Sequence, residues 1–262
     1  MLILQTKTFK SNSNEVRVPI GWDKSRLDMG IRRKIFWYPS RASPHILAAG
    51  QSGSGKTKLL ELFASRCVRD IQDVELYLAD PKCIDFGYAK NSTRFWSGSE
   101  SGEALRVFQQ SMKSCVEQTD PSGCTDNWNW KILIFDEVAA FTMLQTDKKK
   151  RTELQEILST ILLLGRGVRH VVICAVQKAL MEYFGSSRSQ FGTTLLLGNV
   201  DNDKEQVQML MANYKDTINA TPNTRGQFWM TADGEGITRG QVPLIANIDE
   251  VRSLILEGLN RN

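Results

Sequence analysis

The stretch at 44–60, PHILAAGQSGSGKTKLL, joins an apolar run to a helical one through a loop of glycine and serine ending in lysine. Ile46 to Ala49 has the character of a buried strand. Lys58 to Arg69 repeats apolar residues at helical spacing, with Leu59, Leu60, Leu62, Phe63 and Cys67. Between them Gly50, Gln51, Ser52, Gly53, Ser54, Gly55, Lys56 and Thr57 fit G-x-x-x-x-G-K-[ST], the phosphate-binding P-loop. Glycines let the backbone curl so that successive N–H groups converge on an anion, and the helix N-terminus adds its dipole. Lys56 would reach the β- and γ-phosphates of ATP, and Thr57 would offer its hydroxyl to Mg²⁺. A glycine-rich turn without a ligand is the competing reading, and a chance match in a chain this long is on the order of one in a hundred.

The 262 residues suit one α/β domain or one domain with small appendages. With 41% hydrophobic and 24% charged residues, the composition is that of an ordinary globular protein. A formal net charge of +4 permits an acidic partner without demanding one. Cys67, Cys83, Cys115, Cys124 and Cys174 contain no C-x-x-C pair, and two histidines add little toward a zinc site. The expectation is reduced thiols in a cytoplasmic protein, with no signal peptide and no apolar run long enough to span a bilayer.

Strand-like and helical segments alternate along the chain. VELYLAD at 74–80, KILIFDEVAAF at 131–141, RHVVICAVQ at 169–177, TTLLLGN at 193–199 and RGQFWMTA at 225–232 read as strands. Helical spacing starts at about Glu103 and again over 152–165, and TDPSGCTDNWN at 119–129 reads as a loop. Residues 1–43 mix short strand-like pieces, MLILQT and EVRVPI, with a basic, aromatic stretch, RRKIFWYPSR. The expected organisation is a β-rich extension over 1–43 and a P-loop α/β domain over 44–262. Such alternation predicts a mainly parallel sheet with helices on both faces, whose ligands sit at the carboxyl ends of the strands. The P-loop, Asp80, Asp136 with Glu137, and Gln177 all fall at such ends.

ILIFDE at 132–137 supplies what the P-loop lacks. Asp136 would hold Mg²⁺ beside Thr57, and Glu137 would act as general base on the attacking water. Gln177 could sense the γ-phosphate. An arginine from a neighbouring subunit would complete the charge balance, with Arg166 the first candidate and Arg169 and Arg188 the others. KKKR at 148–151 reads as a basic loop, with Thr152 and Gln155 capping the next helix. Lys148, Lys149, Lys150 and Arg151 are its candidate DNA contacts, set against a plain solvated charge run.

These segments resemble the FtsK/SpoIIIE-type translocase motors. The resemblance runs in order over roughly 16–246, through PHILAAGQSGSGKT, ADPK, ILIFDEVAAFTML, GRGVRHVVICAVQK and RGQFWMTADGEGITRGQVP. It implies a RecA-like fold with a C-terminal β-hairpin, a hexameric ring, and ATP-driven movement of double-stranded DNA. Two departures stand out. The family's Thr-Gln-Arg-Pro is Val176-Gln177-Lys178-Ala179, and its Asp-Ser-Arg is Asp203-Lys204-Glu205. No membrane-spanning or winged-helix segment accompanies the motor, which favours a stripped, mobile-element or conjugation type. Such a motor could be recruited to the membrane by a channel or relaxase-type partner. Two alternatives stand beside it, a type VII-like protein-export ATPase and a nucleotide-gated binding subunit with little hydrolysis. The intact Lys56, Thr57, Asp136 and Glu137 argue against the second.

Overall fold

Each apolar run pairs with another of its kind, and together they build a single sheet. The computed structural model describes residues 15–118, 128–199, 204–221, 223–232 and 234–261. Its strands are β1 (Val18–Asp23), β2 (Lys34–Trp37), β3 (Ile46–Ala49), β4 (Glu75–Asp80), β5 (Phe95–Ser97), β6 (Lys131–Phe135), β7 (His170–Val176), β8 (Thr193–Leu197), β9 (Gln227–Ala232) and β10 (Thr238–Gln241). Their spatial order is β2-β1-β10-β9-β8-β3-β7-β6-β4-β5. From β8 to β5 the neighbours are parallel, while β9, β10, β1 and β2 continue the sheet antiparallel. The β9–β10 hairpin is the C-terminal hairpin expected from the sequence. The N-terminal β1–β2 pair joins the same sheet through β10. MLILQT, Cys124, most of the 119–129 loop and Asp203 lie outside the described residues.

The helices are α1 (Lys24–Asp28), α2 (Lys56–Asp70), α3 (Ser101–Gln118), α4 (Val138–Leu144), α5 (Lys148–Leu164), α6 (Met181–Phe184), α7 (Lys204–Met211), α8 (Lys215–Ala220) and α9 (Ile248–Asn260). They cover both faces. In β3, Ile46 and Ala48 point to the layer of α2 and α9, and Leu47 and Ala49 to that of α3 and α5. All four are buried, which is why the strand is apolar throughout rather than alternating. Burial on both faces removes the register ambiguity of a polar strand, since a slip would expose an apolar row. Four described cysteines carry free thiols, and no helix of the described residues is long and apolar enough to cross a membrane.

Two expectations need correction. The basic run 148–151 is not a loop but the first turn of α5, four residues ahead of the expected helix start. Asp147 is the N-cap, its carboxylate accepting the N–H groups of Lys149 and Lys150 at 2.8 and 3.4 Å. A cap at Asp147 takes over the role given to Thr152 and Gln155.

Candidate functional site

Parallel pairing of β3 with β7, and of β7 with β6, brings their carboxyl ends to one edge. The P-loop leaves β3 there, Asp136 and Glu137 follow β6, and Gln177 follows β7. One cavity of about 250 Å³ is lined by Ser52, Gly53, Gly55, Lys56, Thr57, Asp136, Glu137 and Gln177. Lys58, Lys82, Asp85 and Arg225 also line it. The sequence-predicted phosphate, metal and base residues are therefore brought together.

The loop is shaped by close approach and by backbone sign. A Cβ on Gly50 would stand 2.6 Å from the Leu197 carbonyl oxygen, and Gly55 holds φ 105° as the N-cap of α2. No side chain caps α2, which leaves its first N–H groups for an anion. Lys56 is buried, with Nζ donating to the carbonyls of Gly50 at 2.5 Å and Gln51 at 3.1 Å. Burial pulls this ammonium below the ordinary lysine value, against the opposing pull of Glu137 and Asp136. A phosphate would replace the two carbonyl contacts with charge-assisted ones. On the far side, the Gly226 N–H donates to the Ser54 carbonyl at 2.9 Å and fastens the P-loop to the β9–β10 hairpin.

The acidic half is held under strain. Glu137 is the N-cap of α4 and occupies the left-handed region, φ 54° and ψ 66°, which costs a non-glycine residue on the order of 1–3 kcal/mol. The strain aims its carboxylate at two donors. Oε2 meets Lys82 Nζ at 3.0 Å, and Oε1 accepts the Gln177 N–H at 3.0 Å. Asp136 is buried, and its carboxyl is pushed up to about 7 by burial first, then by Asp85, Asp80 and Glu137, with Lys56 opposing. A buried carboxyl crowded by other acids is a place that a cation relieves. Among the described residues no three His, Cys, Asp or Glu side chains are grouped to hold a metal alone. Thr57 and Asp136 fit Mg²⁺ only together with nucleotide oxygens.

Asp80 serves the loop instead. Its carboxylate accepts the N–H groups of Lys82, Cys83 and Phe86, pinning the turn that carries Lys82. Lys82, Asp85 and Arg225 are the residues that sequence reasoning missed. Lys82 was visible in ADPK, two positions past a strand end. Arg225 had no local signal, because only the antiparallel return of β9 beside β8 brings it to this edge.

The arginines divide. Arg166 precedes β7, so seven strand residues at about 3.3 Å each separate it from the P-loop edge. Its guanidinium donates to the Ala42 carbonyl at 2.6 Å. Arg169, on the same far edge, donates to Trp128 and lies over the Trp130 ring. Arg188 donates to the Ala179 carbonyl at 3.1 Å. None of the three lines the cleft of its own chain.

No model of a protein family matches the chain. The FtsK domain-containing protein YdcQ of Bacillus subtilis strain 168 is 27% identical over 167 residues, 59% of this chain and 34% of that protein. The chain thus spans about a third of the length of that curated relative. The pCW3 conjugation coupling protein TcpA, in a monomer form with ATPγS, superposes with a TM-score of 0.74 at 19% identity. That likeness covers 94% of this chain and 71% of TcpA. ATPases 2 and 3 of EccC from Thermomonospora curvata give 0.66 at 17%, over 90% of this chain and 42% of that one. The DNA-packaging ATPase B204 of Sulfolobus turreted icosahedral virus gives 0.54 at 11%, over 76% and 97%. The chain is thus similar in sequence to an FtsK domain-containing protein, and its fold is that of RecA-like P-loop ATPase domains.

Proposed function

We propose that the chain binds ATP with Mg²⁺ and hydrolyses it as the motor of a hexameric ring that moves double-stranded DNA, in DNA transfer of the conjugation type. Residues 44–262 act as the motor and 1–43 as its extension. The observation that carries this reading is the single cleft shared by Lys56, Thr57, Asp136 and Glu137. Lys56 exchanges its loop carbonyls for phosphate oxygens, while Thr57 and Asp136 hold Mg²⁺. The metal screens phosphate charge when bound. Glu137, oriented by Lys82 and the Gln177 N–H, takes the proton of the attacking water on a remaining lone pair, and the Gln177 side chain borders the same space. An arginine from the neighbouring subunit, Arg166 first, would balance the developing charge.

Support for DNA as cargo comes from the first turn of α5. Lys148, Lys149 and Lys150 are exposed there, and with Arg151 they place four cations at the positive end of a helix dipole. A polyanion relieves that arrangement. The likeness to a conjugation coupling protein and to a DNA-packaging ATPase supports the same cargo. A membrane-channel or relaxase-type protein would be the motor's partner. A protein-export motor is the second reading, favoured by the likeness to EccC in complex with a signal sequence peptide. ATPase rate measured with and without linear duplex DNA tests the proposal. A DNA-dependent rise supports it, and a rate indifferent to DNA over a range of salt rejects it.

A further inference from the structure

We infer that the turn from Arg26 to Lys34 docks on the surface of a bilayer rich in anionic lipid. The inference goes beyond the motor reading and uses none of its site residues. Over 23–34 the sequence carries five cations against two carboxylates, and both carboxylates are spent within the turn. Asp23 caps α1 by accepting the Arg26 N–H at 3.1 Å, and Asp28 pairs with Lys24. Arg26, Arg32, Arg33 and Lys34 are exposed, and none of the four forms an ion pair among the described residues.

The apex between these cations is apolar. Met29 is 70% exposed and Ile31 51%, on either side of Gly30. Gly30, at φ 77°, donates its N–H to the Leu27 carbonyl, and Ile31 donates to the Arg26 carbonyl, both at 2.9 Å. That pair of bonds closes the helix end firmly. The return chain is fastened as well, with the Asp23 N–H donating to the Arg33 carbonyl at 2.8 Å. Two apolar side chains are thus held in water on an ordered tip, with cations before and after them.

Three explanations fit the cations, and the apolar pair separates them. β2 is the last strand of the sheet, and a charged edge discourages pairing with another chain, which explains Lys34 but not Met29 or Ile31. Duplex DNA would take the cations through its phosphates, to which a methionine and an isoleucine add nothing. A bilayer of anionic lipid uses both, since its headgroups attract Arg and Lys while apolar side chains enter the acyl boundary. β2 lies five strand positions from β3, roughly 24 Å at about 4.8 Å each, so the turn is well removed from the nucleotide cleft.

Flotation of the full chain with vesicles tests this, using phosphatidylcholine alone and an equal mixture with phosphatidylglycerol. Binding to the mixed vesicles should exceed binding to the neutral ones by about tenfold or more, and the difference should shrink as salt rises. Arg32→Gln with Arg33→Gln should lower binding to the mixed vesicles by about tenfold or more. Met29→Ser with Ile31→Ser, at exposed positions, should lower it several-fold and leave duplex DNA affinity unchanged. Equal flotation with both vesicles, or none with either, would overturn the docking surface. So would full binding of the mixed vesicles by the serine pair, because the apolar tip would then be idle. A duplex affinity that falls in the serine pair as far as vesicle binding does would assign the turn to nucleic acid instead.

Discussion

Lys82 Nζ lies 3.0 Å from one carboxylate oxygen of Glu137, and the Gln177 N–H occupies the other at the same distance. The candidate base is thus held at both oxygens, in a left-handed backbone conformation, beside the buried Asp136. A carboxylate tied in this way is oriented, and each oxygen keeps a lone pair for a proton.

Glu137→Gln should retain nucleotide and lose turnover by roughly a hundredfold or more, since only proton transfer is removed. Lys82→Ala should act differently. With the ammonium gone, one carboxylate oxygen of Glu137 loses its anchor, and kcat should fall several-fold. Lys82→Arg should restore part of it. Turnover rates at saturating ATP for the three variants check this, and a wild-type kcat in Lys82→Ala would contradict it.

Asp136 makes stability depend on pH. Its folded value of about 7 lies above the ordinary 3.8, so the folded chain holds this proton more tightly than the unfolded one. The associated stability is present below about pH 4 and is lost as pH rises through 7. His45 and His170, both buried and lowered to about 4, act in the opposite sense, destabilising the fold as pH falls from 6.5 toward 4. Asp136→Asn keeps both histidines, so its difference from wild type isolates the carboxyl. Without nucleotide at pH 8, urea midpoints should show the variant more stable, by up to about 4 kcal/mol at ~1.4 kcal/mol per tenfold. The gap should close on acidification to pH 4. A constant gap across that range would contradict the assignment.

The strands were legible because parallel strands buried on both faces are apolar throughout, and polar residues then mark their ends. HVVICAV followed by Gln177 and ILIF followed by Asp136 are examples. Lys82 was legible only as part of a family signature, because its partner Glu137 is 55 residues away and joins it through β4–β6 pairing. Arg225 was hidden by topology. The helix start at Lys148 was missed because four successive cations outweigh the cap in a reading by charge, although Asp147 stands immediately before them.

Arg166 lies on the edge of the sheet away from its own P-loop, so any catalytic role requires a second subunit. Lys56→Ala removes the phosphate lysine and keeps Arg166, and Arg166→Ala does the reverse. Mixed in equal amounts, the two inactive chains should recover part of the ATPase rate, because an arginine supplied in trans is worth about 10³-fold or more. Size-exclusion chromatography of the mixture checks whether the chains assemble. Recovery with Arg169→Ala or Arg188→Ala, but not with Arg166→Ala, would move the role to that residue.

Lys148, Lys149, Lys150 and Arg151 open α5 eleven residues after Glu137, with the short α4 between them. Arg151 is anchored, its guanidinium donating to the Gln145 carbonyl at 3.0 Å, while the three lysines project into solvent. Cations in a first turn oppose the helix dipole, so neutralising them should leave the fold intact or slightly firmer, by about 0.3–1 kcal/mol each. Replacing the three lysines with glutamine keeps Asp147 as cap and Arg151 as anchor. Duplex DNA affinity should then fall, and the slope of log affinity against log salt should become shallower by nearly one for each phosphate that is no longer neutralised. Basal ATPase should stay at the wild-type rate, since none of the three lines the nucleotide cleft. Unchanged affinity and an unchanged salt slope in the triple variant would return this turn to plain surface.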